Sequence, residues 1–237
     1  MKVISLYDFT GGAVRPMANA GALCFCFDIQ HPYSQFGADV EKVGKGQIHY
    51  LHADLHDPRE LDSILFECGE VDFLFGWPPC TDLAVCGNSS KKLKLALNPN
   101  VEVEATQHAI NCADLADRFG CPYMIENPVS RLATLWRKPD YYFHPFEYGG
   151  YLSDDEAVHP TWPDYIPPKD AYSKKTCLWV SKDTFVMPQK RPVECESFGS
   201  SRQHRLLGGK SIKTKNIRSA TPRGFAKAVF EANSRGL

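Results

Sequence analysis

Five short stretches of this 237-residue chain carry side chains that chemistry uses. The first is the turn Tyr7-Asp8-Phe9-Thr10-Gly11-Gly12. Adjacent glycines between a strand and a helix let backbone amides approach a bound cofactor, although a plain connecting loop can carry the same pair. The next two are acids: Asp28, closing Ala22-Leu23-Cys24-Phe25-Cys26-Phe27, and Asp54, in His52-Ala53-Asp54-Leu55. Asp28 stands where a Rossmann-type sheet places a carboxylate for ribose hydroxyls. Asp54 closes a candidate third strand, within reach of an adenine amino group. Singly, each acid also reads as a turn or cap residue; in this order, the three features point to a nucleoside-containing cofactor. The fourth stretch is Gly76-Trp77-Pro78-Pro79-Cys80. Its two prolines stiffen the backbone and present one cysteine, a nucleophile where the surroundings favour the thiolate and an inert thiol where they do not. The fifth is Glu126-Asn127-Pro128, whose carboxyl, partly desolvated at a strand end, is able to donate a proton.

These groups need a frame that brings them to one edge. Residues 2–7 read as a buried strand, and a helical pattern from Ala13 to Ala20 closes at Gly21. Residues 22–27 form a second strand. A helix over 58–68 opens with Asp57 as N-cap and Pro58 in its first turn. Residues 71–76 are a strand. An amphipathic helix over 102–119 aligns Ala105, Ala109, Cys112, Leu115, Ala116 and Phe119 on one side, and 122–126 is another strand. Such alternation predicts right-handed crossovers and a mostly parallel sheet with flanking helices. Residues 176–181 read as a late strand and 222–234 as a terminal helix. Between Asp140 and Pro168 the chain is rich in Tyr, Pro, Trp and His. Its rings Tyr141, Tyr142, Phe143, Phe146, Tyr148, Tyr151 and Trp162 read foremost as a satellite core, and secondarily as stacking platforms for bases. His144 and His159 lack ligand-like spacing, so no metal is assigned.

With 43% hydrophobic and 23% charged residues, the composition excludes a disordered chain, a collagen-like fibre and a coiled coil. No run is long and apolar enough for a membrane span. The opening residues show no signal-peptide layout. Nine cysteines without a Cys-x-x-Cys pair argue against a zinc ribbon or a secreted disulfide framework, and for a reducing cytosol. The net charge is −1, yet residues 201–227 carry Arg202, Arg205, Lys210, Lys213, Lys215, Arg218, Arg223 and Lys227 with no acid. A block of one sign suggests an anionic partner, with nucleic acid foremost and a solvated basic face as the alternative. Lys91, Lys92 and Lys94, on the polar segment after Cys80, read equally as phosphate contacts or surface lysines.

The order of glycine turn, acidic strand end, Pro79-Cys80 and Glu126-Asn127 resembles the cytosine-C5 DNA methyltransferase family, in its compact phage-type members. Gly11-Gly12, seven residues and Ala20-Gly21 keep that family's frame, and Ser219-Ala220-Thr221-Pro222 resembles its C-terminal cofactor motif. The resemblance covers most of 3–130 and again 170–232. It implies a single Rossmann-like, class I S-adenosylmethionine-dependent methyltransferase domain over 1–237, with a small aromatic and Pro-rich insertion at 129–170 replacing a target-recognition domain. It further implies cytosine C5 methylation of DNA in a bacterial host's cytoplasm, from a phage- or prophage-encoded protein. Cys80 would add to C6 and Glu126 would bind N3 and the amine; Lys174 or Lys175 would stand in for a missing Gln-x-Arg-x-Arg strand. The implied S-adenosylmethionine site comprises Tyr7, Phe9, Thr10, Gly11, Gly12, Asp28, Ile29, Asp54, Leu55, Pro78, Ser219 and Thr221. DNA would meet Lys91, Lys92, Lys94, Arg202, Arg205, Lys210, Lys213 and Lys215.

Phe9 departs from the family pattern by replacing a glycine, and a bulky residue cannot copy a positive-φ glycine at no cost. The alternatives are the same chemistry on RNA or a free cytidine nucleotide, and a catalytically silent binder of nucleic acid or cofactor. N6-adenine methylation fits less well, because that chemistry uses an Asp/Asn-Pro-Pro-aromatic motif and no thiol.

Overall fold

The computed structural model describes residues 1–34, 37–83, 91–197, 201–209 and 211–234. Two compact units emerge from the packing of the chain: Met1–Gly11, Ala18–Tyr142 and Thr176–Phe185 form the first, and Gly12–Met17, Phe143–Lys175 and Val186–Leu237 the second.

The sheet comprises β1 (Lys2–Leu6), β2 (Leu23–Asp28), β3 (Asp39–Val43), β4 (Gly46–His52), β5 (Phe73–Gly76), β6 (Tyr123–Pro128), β7 (Tyr141–Phe143) and β8 (Thr176–Val180), in the order β3-β4-β2-β1-β5-β6-β8-β7. β4, β2, β1, β5 and β6 run parallel, while β3 is antiparallel to β4 and β8 to β6. The chain is thus a mixed α/β, Rossmann-like single sheet with flanking helices. β1, β5 and β8 are runs of buried side chains, as strands covered on both faces must be. β3 and β4 escape the apolar pattern. β3 reads Asp-Val-Glu-Lys-Val with no buried side chain, and β4 buries only Ile48, so pairing rather than hydrophobicity makes them strands.

The helices are α1 (Arg15–Ala20), α2 (Pro58–Cys68), α3 (Lys91–Leu97), α4 (Val101–Phe119), α5 (Leu132–Leu135), α6 (Arg202–Leu206), α7 (Ile212–Ser219) and α8 (Arg223–Asn233). Asp57 caps α2 by accepting from Arg59 N at 2.9 Å. α4 buries Ala105, Ala109, Cys112, Leu115 and Ala116 against Leu74, Ile125 and the α2 residues Leu61 and Ile64. Gly120, in the left-handed region, ends it.

In the second unit the aromatic stretch builds a core. Phe143 stacks on Phe225 at 3.9 Å, and Tyr148 meets Phe225 edge-on at 5.0 Å. Trp162 packs against Ile166, Tyr172 and Ala220. The buried Asp170 accepts from Gly224 N at 3.0 Å, and Arg223 donates to the carbonyls of Glu156 and Ala157, pinning the start of α8. Tyr141 and Tyr142, in the first unit or at its margin, stay exposed. Among the described residues no helix is long and apolar enough to cross a membrane.

Candidate functional site

From β1 the chain builds outward through β2 and β4; it then returns to the other side of β1 for β5 and β6. β1 and β5 therefore flank the point where strand order reverses, and ligands of open α/β sheets bind outside the carboxyl ends of strands at that point. Two predicted segments meet there. Tyr7–Gly11 leaves β1 and Trp77–Cys80 leaves β5, joined where Trp77 N donates to Leu6 O at 3.1 Å.

The first turn is tightly organised. Tyr7 sits at φ 59° and Gly11 at φ 65°. A side chain pays roughly 1–2 kcal/mol for the left-handed region, so Tyr7 must be held there. Its hydroxyl donates to Leu55 O at 3.1 Å, and its ring contacts those of His56 and His108. Glycine is required at position 11, where a Cβ would come within 2.8 Å of the Tyr50 hydroxyl. The carboxylate of Asp8, 4% exposed, lies inside the turn. Its Oδ1 accepts from Gly11 N at 2.8 Å and Thr10 N at 3.0 Å, and its Oδ2 from Ser5 Oγ at 2.8 Å. Ser5 Oγ in turn accepts from Trp77 Nε1 at 3.0 Å. Burial pushes the Asp8 carboxyl above the usual carboxylate range, opposed by the donors from Ser5, Gly11 and Thr10. Phe9 points outward, 40% exposed, and stacks on the buried His31 at 5.4 Å.

Asp28 ends β2 on the same edge and is 8% exposed. Its Oδ1 accepts from Gln30 N at 2.7 Å, which fixes the carboxylate and leaves it further acceptor sites. Ile29 beside it is an exposed apolar side chain. Asp54 follows β4, exposed, accepting from His56 N at 3.1 Å, and Leu55 is buried.

The second predicted pair also converges. Gly76 of β5 is in register with Ile125 of β6, which brings Cys80 and Glu126 to the ends of neighbouring parallel strands. The buried Asn127 ties the two ends together, its Nδ2 donating to Pro78 O at 3.0 Å while its Oδ1 accepts from Ser130 Oγ at 3.0 Å. Pro78 is buried, and Cys80 and Glu126 are half-buried. Cys24, Cys26, Cys68, Cys112, Cys121 and Cys177 are buried. Burial pushes Cys68 up to about 11 and Cys24 and Cys121 up to about 12.

No family model and no curated protein matches this chain. Among solved structures it is similar to an NADH-dependent reductase complexed with NAD, at 15% identity over 50% of this chain and 55% of that one, TM-score 0.28. It is also similar to two doubly substituted forms of a Serratia marcescens short-chain dehydrogenase/reductase, both at 15% identity over 47% of this chain. They are covered over 51% and 52% of their length, with TM-scores of 0.27 and 0.25. The chain spans about half the length of each of these three structures.

These findings correct the resemblance drawn from the sequence. The structures found are reductases, and neither a family model nor a curated protein supports the cytosine-C5 methyltransferase family. Membership of that family and its class I methyltransferase label are therefore withdrawn. So are S-adenosylmethionine as cofactor and cytosine methylation of DNA, with its RNA, free-nucleotide and silent-binder variants. The chain itself departs at the turn, where Phe9 replaces the expected glycine and Asp8 holds amides the cofactor reading left open. A TM-score of 0.28 or below assigns no reductase activity in turn.

The remaining predicted residues lie as follows. Gly12, Ser219 and Thr221 belong to the second unit, where Ser219 is exposed and Thr221 is 9% exposed. Lys174, in the same unit, donates to Arg218 O at 2.9 Å. Lys91 pairs with Glu102 at 3.0 Å and Lys94 with Asp82 at 2.7 Å, while Lys92 is exposed. The basic block is largely matched within its own unit. Arg202 and Arg205 share Glu196, Lys227 pairs with Glu156, and Arg218 donates to Leu207 O. Lys213 lies 5.8 Å over the Tyr165 ring, Lys215 is exposed, and Lys210 lies outside the described residues. Sequence reasoning missed the roles of Ser5, Asp8 and Asn127. An Asp just ahead of a Gly-Gly turn is the signal that flags Asp8, because such carboxylates bond amides two or three residues on.

Proposed function

We infer that the chain binds a nucleoside-containing ligand at the carboxyl edge of its sheet, across the ends of β2, β1 and β5, and that Cys80 is the nucleophile presented to that ligand's reacting end. The carrying observation is Asp28, a fixed, nearly buried carboxylate on the strand beside the reversal point. A carboxylate in that position suits a ribose diol, which offers two hydroxyl donors. Exposed Ile29 next to it offers an apolar surface for a base. Glu126, on the strand beside the Cys80 turn, is the proton donor of this reading.

Calorimetric titration with adenosine tests it. Wild type binds, and Asp28→Ala weakens binding roughly 10- to 100-fold, the loss expected for charged hydrogen bonds of about 1.5–3 kcal/mol. Asp28→Asn, which keeps an acceptor for Gln30 N, falls between the two. Bound adenosine also slows alkylation of Cys80, followed by peptide mass spectrometry. A flat titration of folded wild type rejects the reading.

A further inference from the structure

The Asp8 carboxylate occupies the place a ligand anion would need. In glycine turns that cradle a diphosphate, phosphate oxygens are bound by backbone N–H groups of the turn. Here Thr10 N and Gly11 N already donate to Asp8 Oδ1, at 3.0 and 2.8 Å, and the Thr10 hydroxyl lies 3.3 Å from the same oxygen. The other oxygen is held from behind through Ser5, itself held by the Trp77 indole. An incoming phosphate would have to displace a buried carboxylate and strip it of its donors. It would otherwise sit beside a charge of its own sign in a poorly hydrated turn, where like charges repel strongly. The outer side of the turn presents the Phe9 ring stacked on His31.

We propose that Asp8 sets the ligand class of this site: it excludes nucleotides that carry a diphosphate at the turn and admits nucleosides whose group there is neutral or cationic. This rests on the nucleoside-binding reading above and narrows it. Asp8 is a positioning and specificity-determining residue, acting through the amides it occupies and the charge it places beneath them. The chain Trp77–Ser5–Asp8 also ties the turn after β1 to the turn that carries Cys80, so ligand selection and thiol presentation share one set of hydrogen bonds.

The test is the ratio of two dissociation constants, which a general loss of structure does not change in a directed way. Wild type is titrated with adenosine and with ADP, and adenosine binds at least tenfold tighter. Asp8→Asn keeps an oxygen acceptor for the two amides but removes the charge, and the preference shrinks to threefold or less. A wild type that binds ADP as tightly as adenosine, or tighter, overturns this proposal and leaves the nucleoside-binding reading standing. A wild type that binds neither overturns both. An unchanged preference in folded Asp8→Asn overturns the role of Asp8. Should that variant not fold, wild type is titrated with 5′-amino-5′-deoxyadenosine, which carries a cation where ADP carries phosphates. Binding at least as tight as adenosine supports the proposal, and binding weaker than ADP overturns it.

Discussion

Replacing Asn127 by alanine tests whether the two halves of the site are held together as described. Asn127 is 1% exposed, its Nδ2 bonded to Pro78 O and its Oδ1 to Ser130 Oγ, both at 3.0 Å. Alanine strands a buried carbonyl and a buried hydroxyl, each costing about 1–3 kcal/mol when left unpaired. Ser130 Oγ keeps a long contact from Leu132 N at 3.4 Å, which puts its share at the low end. The sum is about 2–4 kcal/mol. At roughly 2–4 °C per kcal/mol for a chain of this length, the melting temperature falls by about 5–15 °C. Asn127→Asp is the sharper comparison. It keeps the acceptor for Ser130 but turns an oxygen toward the Pro78 carbonyl and buries a charge, so it costs more than alanine. Urea unfolding at constant slope gives both differences. The alkylation rate of Cys80 reports the turn directly, and rises in either variant. An Asn127→Ala chain within about 0.5 kcal/mol of wild type, or an Asn127→Asp chain more stable than Asn127→Ala, refutes the reasoning.

Native-state alkylation with iodoacetamide should modify Cys80 and Cys195, both half-buried, well before Cys24, Cys112 and Cys121; equal rates for all would show that burial does not protect the core thiols. His56 and His108 lie with ring centroids 3.9 Å apart, tilted by 30°, and line a cleft of about 520 Å³ between α2 and α4. Burial, and then the neighbouring His56, pushes His108 down to about 4 from 6.5. The unfolded chain thus binds a proton that the folded one refuses, and stability is lost as pH falls from 6.5 toward 4. His108→Gln should flatten that limb of a stability-against-pH curve, and an unchanged limb would clear His108 of the effect. In the second unit, a Cβ at Gly224 would come within 2.4 Å of Tyr148 O. Gly224→Ala should therefore cost on the order of 1–3 kcal/mol in a thermal melt, and a neutral result would mean that α8 shifts freely.

The strands that carry the site were legible because they are buried on both faces. The expected strands at 2–7, 22–27, 71–76, 122–126 and 176–181 correspond to β1, β2, β5, β6 and β8, with ends shifted by up to two residues. The helix over 58–68 is α2, its Asp57 and Pro58 marking the start, and the one over 102–119 is α4. β3 stayed hidden because its side chains are polar or exposed, leaving no period to read. The short helices α3, α5, α6 and α7 offer too few turns for a periodic signal. At the site, residue types pointed to Cys80, Glu126 and Asp28, while their convergence depends on strand order, which no local pattern carries. The contribution of Asn127 was invisible for the same reason, its partner lying 49 residues away. The family resemblance failed differently. Short motifs fix the kind of group at a strand end, and the same few groups serve many chemistries on one sheet.

β3 has one further effect. It forms an outer edge of the sheet, with a row of backbone groups facing away from β4. Such an edge is a template on which another chain's strand can polymerise. Here the newcomer would lie alongside Asp39, Glu41 and Lys42, charges of both signs within five residues, ending at the reversal around Gly44. A strand too polar to announce itself in the sequence thereby guards the molecule against aggregation through that edge.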